Sequence, residues 1–123
     1  MYKSILVGTD GSATAAIAVE RAVEVAAATG ARLTILAVDR EDRGRKVVDE
    51  VAGRHADSGV DIETKVIQGD PASVLVDETE AGGYDLLVVG NKGMTGASRF
   101  FLGSVPNKVS HHAPTALLIV RTT

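Results

Sequence analysis

The sequence predicts an α/β domain built on an open parallel sheet with helices on both faces. Apolar runs of strand length alternate strictly with helical stripes along the chain, and the connections between them are short. Such alternation requires right-handed crossovers between parallel strands. The most apolar short run, Leu86 to Val89, has the composition of a central strand covered on both sides.

The elements follow in order. Ser4 to Thr9 (SILVGT) is the first strand, ended by the turn and cap residues Asp10-Gly11-Ser12. From there to Thr29, the residues Ala15, Val19, Ala22, Val23 and Ala26 recur at helical spacing, with Glu20, Arg21 and Glu24 on the opposite side. Gly30 then ends the helix. Arg32 to Val38 (RLTILAV) is the second strand. The polar stretch Asp39 to Gly44 leads into a second helix, where Val47, Val48, Val51, Ala52 and His55 share a face. His55 is therefore read as a half-buried helix residue rather than a ligand.

Asp61 to Ile67 alternates, with Ile62, Thr64 and Val66 on one side and Glu63 and Lys65 on the other, which suits a sheet edge. Asp70 is placed to cap a third helix and Pro71 to occupy its first position, where a missing amide hydrogen costs nothing. That helix turns Leu75, Val76 and Thr79 inward and ends near Gly82-Gly83. Asp85 to Val89 is the fourth strand. Ser104 to His112 reads as a short helix stopped by Ala113-Pro114, and Thr115 to Val120 (TALLIV) as the fifth strand.

Composition narrows the function. Thirteen Lys and Arg against sixteen Asp and Glu give a net charge of -3 without long blocks of one sign. With two Tyr, two Phe and no Trp, neither the basic face nor the stacking residues of a nucleic-acid binder are present. The apolar runs fall far short of the roughly 20 residues that span a membrane. No charged and then apolar leader pattern is recognisable at the N-terminus. There is no cysteine, hence no disulfide framework or thiolate metal site, and the cytoplasm is the expected compartment. The expectation is one domain over residues 1–123.

In an open parallel sheet, ligands bind beyond the carboxyl ends of the strands where the strand order reverses. Two loops stand at such ends, Thr9 to Ser12 and the stretch from Gly90 to Ser104, which holds four glycines in its first fourteen residues. Glycine tolerates positive φ and leaves its amide open to an approaching anion. A phosphate chain along the amides around Gly93, Gly103, Ser104 and Val105 would lie at the positive end of the last helix, with Lys92 and Arg99 adding charge. Both loops also have plainer explanations, as a helix cap and a surface loop. His111-His112 has no third ligand at a metal-like spacing, and Ser12, Ser98 and Ser104 lack an identifiable base, so neither a metal site nor a hydrolytic triad is expected. Neither GxxxxGK[ST] nor GxGxxG occurs.

Gly90-x-x-Gly93, nine residues, then Gly103-Ser104, following a buried strand and opening a helix, resembles the nucleotide-binding signature of the ATP-binding branch of the universal stress proteins. The similarity extends to Lys3 through Ser12, to Gly69-Asp70-Pro71 and to Val109 through Val120. The resemblance implies a five-stranded sheet of order 3-2-1-4-5. It implies that Asp10 approaches the ribose or a phosphate-bound Mg²⁺, that main chain at Val38 reads the adenine, and that Gly90 lets the ribose come close. Gly93, Gly103, Ser104 and Val105 would hold phosphates, with Thr9, Val89, Lys92 and Arg99 completing the site. It further implies a homodimer paired through strand 115–120.

Two departures bear on the ligand. Pro106 stands where ATP-binding members often have a hydroxyl residue and supplies neither amide donor nor hydroxyl, which makes AMP and ADP alternatives to ATP. The segment from Asp39 to Lys46 is shorter than in many relatives, which argues against a lid. The resulting expectation is an ATP-binding regulatory stress-response protein without fast turnover. The alternatives are a nucleotide-free interaction module and a slow ATPase.

Overall fold

The computed structural model describes residues 1–91 and 115–122. Its elements are β1 (Ser4–Gly8), α1 (Ala13–Thr29), β2 (Arg32–Val38), α2 (Glu41–Arg54), β3 (Ile62–Ile67), α3 (Pro71–Ala81), β4 (Leu86–Gly90) and β5 (Ala116–Val120). The five strands form one parallel sheet of order β3-β2-β1-β4-β5. The order reverses between β1, which pairs with β2 on one side, and β4 on the other. The helix expected at Ser104 to His112 lies outside the described residues.

The two-residue strand period sorts the core into two layers. Ile5, Val7, Leu33, Ile35, Leu86 and Val88 face α1 and α2, where Val19, Ala22, Val48 and Val51 meet them. Leu6, Leu36, Leu87 and Val89 face α3 through Ala72, Leu75 and Val76. All five residues of β4 are buried, as a strand covered on both faces requires. Among the described residues β3 pairs only with β2, the edge position expected from sequence, and all its residues but the exposed Glu63 are half-buried. Its Lys65 lies on the α3 side, 2.5 Å from Glu78.

Side-chain chemistry sets the helix starts. Ser12 Oγ accepts the Ala15 amide at 3.2 Å and begins α1, and the Asp70 carboxylate accepts the Ser73 amide at 3.1 Å to begin α3 ahead of Pro71. In α1 the buried stripe is Ala18, Val19, Ala22, Val23 and Ala26. Ala15, expected in that stripe, is only half-buried in the first turn, and Ala18, one turn on, takes its place.

The polar stretch before α2 is a correction. Asp39 to Gly44 was expected to be a connection, but α2 starts at Glu41 and includes Gly44. Glu41 and Asp42 fall in the first turn, where negative charge complements the helix dipole. Gly44 is buried against β3, where a Cβ would overlap Val66 Cγ1 and lie 3.2 Å from Val66 Cγ2. This glycine permits close helix–sheet contact instead of breaking the helix.

At the other end of the sheet, the Asp85 carboxylate accepts the amides of Lys3 at 3.0 Å and Ser4 at 3.1 Å. It thereby fixes the start of β1 beside β4. No described helix is long and apolar enough to cross a membrane.

Candidate functional site

A cavity of about 280 Å³ opens at the carboxyl ends of β1 and β2. Thr9 and Asp10 form the β1 side, and Ala37, Val38 and Asp39 the β2 side. Arg43 and Val47 wall it from α2, and Pro71 from the start of α3. The cavity thus stands at the carboxyl end of the parallel sheet, next to the reversal of strand order between β1 and β4.

The β1 loop is held by its own hydrogen bonds. The Thr9 amide donates to Leu36 O at 2.9 Å and extends the pairing with β2 past the end of β1. The Gly11 amide donates to Thr9 Oγ1 at 3.1 Å, and the Ser12 amide to Asp10 Oδ1 at 2.9 Å. Gly11 has φ +83°, and a Cβ there would lie 3.3 Å from Val47 Cγ1. A side chain at this position would be strained in its backbone and tight against α2. These contacts turn the Asp10 carboxylate into a fixed feature of the cavity wall.

On the β2 side, the Asp39 amide donates to Ile67 O at 3.1 Å, and Asp39 Oδ1 accepts the Arg40 amide at 2.7 Å. The same oxygen lies 3.1 Å from Arg43 Nη2. The ionisable groups of the lining are thus Asp10, Asp39 and Arg43, set against apolar Ala37, Val38, Val47 and Pro71. Such a surface, with a few placed polar groups on apolar walls, suits a small organic ligand with a flat apolar part.

Of the residues anticipated from sequence, Thr9, Asp10 and Val38 line this cavity together. Val89 and Gly90 are buried at the end of β4 on the other side of β1 and are not part of its lining. Lys92, Gly93, Arg99, Gly103, Ser104 and Val105 lie outside the described residues, as does Pro106. Asp39, Arg43, Val47 and Pro71 were not anticipated. The first two carried a signal in their spacing of four, which on a helix start makes an ion pair, but the stretch had been read as a connection.

The Universal stress protein family profile matches residues 1–52 and 39–121. The chain belongs to this family. It is 31% identical to Universal stress protein YxiE of Bacillus subtilis over 148 aligned positions, covering 98% of this chain and 100% of that one. It is 32% identical to Universal stress protein Rv1636 of Mycobacterium tuberculosis, covering 99% of this chain and 98% of the relative. A crystal structure of a universal stress protein in complex with cAMP superposes with a TM-score of 0.81 at 37% identity, covering 99% of this chain and 98% of that one. The 148 positions of the YxiE alignment exceed the 123 residues here, so that universal stress protein carries residues this one lacks.

Proposed function

We propose that this chain is an adenine-nucleotide-binding regulatory protein of the stress response, with the nucleotide seated in the crevice at the ends of β1 and β2. The observation that carries the proposal is the convergence of Thr9, Asp10 and Val38 on one cavity at the carboxyl ends of β1 and β2, one strand from the reversal of strand order between β1 and β4. The complex of a 37% identical universal stress protein with cAMP supports an adenine nucleotide as the ligand class. ATP is the expected ligand, with AMP and ADP as alternatives and Mg²⁺ as a companion held through the phosphates.

The size of the cavity bears on how the ligand lies. At about 280 Å³ it sits at the lower end of the roughly 300–1,000 Å³ usual for ligand sites, which suits a nucleoside better than a whole nucleoside triphosphate. The base would lie against Val38 and Val47, and Asp10 would accept a ribose hydroxyl. Phosphates would extend past β1 toward Gly90, with Gly93, Gly103, Ser104 and Val105 supplying donors and Lys92 and Arg99 charge. Binding without fast turnover is the proposed mode.

The proposal includes a cytoplasmic homodimer paired through strand 115–120. Ile119 is 42% exposed on β5, an edge of the described sheet, and a second copy would cover it. Titration calorimetry with ATP, ADP and AMP tests the ligand assignment. Saturable binding below millimolar that is weakened by Asp10→Ala is expected. Absence of heat for all three nucleotides up to millimolar would overturn it.

A further inference from the structure

Arg43 is the only cationic side chain lining the cavity among the described residues. Its Nη2 edge is held by Asp39 Oδ1 at 3.1 Å, and that carboxylate is itself fixed by the Arg40 amide at 2.7 Å. An ion pair made at the edge of a guanidinium leaves its flat face available for stacking. The side chain is 64% exposed, so it has freedom to settle over a ligand without disturbing the core. Val38 on β2 and Pro71 at the start of α3 form apolar walls of the same cavity that belong to other elements than Arg43.

We propose that Arg43 is a base-binding residue whose guanidinium stacks on the purine and, with Val38 on the β2 side, clamps it. This rests on the adenine-nucleotide reading above. Topology distinguishes the base from the phosphates as the group Arg43 meets. α2 packs over β2 and β3, whereas the strand-order reversal that would receive phosphates lies between β1 and β4. Neighbouring strands are about 4.8 Å apart, so the end of β2 lies roughly 10 Å from the end of β4. That is the scale of the distance from a base to its first phosphate. A guanidinium beside β2 therefore meets the ring and not the chain of phosphates.

Calorimetric titration of the intact protein and of Arg43→Ala and Arg43→Lys with adenosine, AMP and ATP tests the assignment. Cation–π stacking on this scale predicts that R43A weakens binding about tenfold, and by the same factor for all three ligands. R43K, which keeps the charge and lacks the planar face, recovers little of the loss. A loss that grows with the number of phosphates, full rescue by lysine, or unchanged binding by R43A would each overturn the role given to Arg43 and leave the nucleotide site standing. Failure of the wild-type protein to bind any of the three would remove the nucleotide site and this inference together.

Discussion

Replacing Gly44 by alanine tests how closely α2 is packed on the sheet. At an ordinary helix position this change stabilises by about 1 kcal/mol, because alanine loses less backbone freedom on folding. At Gly44 the new methyl meets Val66, with Cγ1 overlapping, Cγ2 at 3.2 Å and Cβ at 3.4 Å. The β-branched valine has little freedom to turn away, and the cost of such overpacking is about 1–3 kcal/mol. The net expectation is a loss of about 1 kcal/mol. Gly53 provides a control within the same helix, since it is exposed and a Cβ there meets nothing within 4 Å. Gly53→Ala should therefore stabilise slightly, near the helix end, and the two variants should differ by about 2 kcal/mol. With a urea m-value of roughly 2 kcal/mol/M for a chain of this size, their unfolding midpoints should stand about 1 M apart. Equal upward shifts for both variants would refute the close contact. Because Arg43 and Val47 flank Gly44 on the same helix and line the cavity, an outward shift of α2 in Gly44→Ala should also weaken ligand binding.

Two further perturbations probe the frame around the site. The hydrogen bond from Lys65 to Glu78 raises the lysine pKa above its ordinary 10.5, so the folded protein holds that proton more tightly than the unfolded chain. The stabilisation is present in full below about pH 10.5 and is lost as pH rises through the folded value. With Lys65 43% exposed the effect should not exceed about 1 kcal/mol, and urea unfolding between pH 9 and about 11.5 should show a smaller alkaline loss in Glu78→Gln than in wild type. Asp85→Ala leaves the Lys3 and Ser4 amides without their carboxylate and should cost about 1–2 kcal/mol in the same assay, with Asp85→Asn, which keeps one acceptor oxygen, losing less; an unchanged midpoint in Asp85→Ala would contradict the anchoring of β1.

Much of the fold was legible because its signals are local. Ser12 and Asp70-Pro71 announce helix starts through cap chemistry that depends on neighbouring amides alone, and the uninterrupted apolar run of β4 reflects burial on both faces. The strand order was carried by the family resemblance, since nothing in the alternation of elements fixes which strands are neighbours. What misled was the polar stretch Asp39 to Gly44, within which the packing role of Gly44 depends on Val66, twenty-two residues away. Read as a connection, the stretch delayed the start of α2, and with it went the placement of Asp39 and Arg43 at the cavity. Thr9 and Asp10 were singled out because they follow the first strand at its carboxyl end, and Val38 because the family resemblance places main chain there against the adenine. Pro71 was explained by its helix-starting geometry, which gave no reason to look for a second role.

The central claim is that the crevice between the ends of β1 and β2 receives an adenine base. Backbone amide NMR during titration with ATP and Mg²⁺ tests it most directly, since each residue reports separately. The account predicts saturable shifts concentrated at Thr9, Asp10, Val38, Arg43 and Val47, with those of Val38, Arg43 and Val47 reproduced by adenosine alone. Shifts confined elsewhere, or none at these residues at saturating nucleotide, would contradict it.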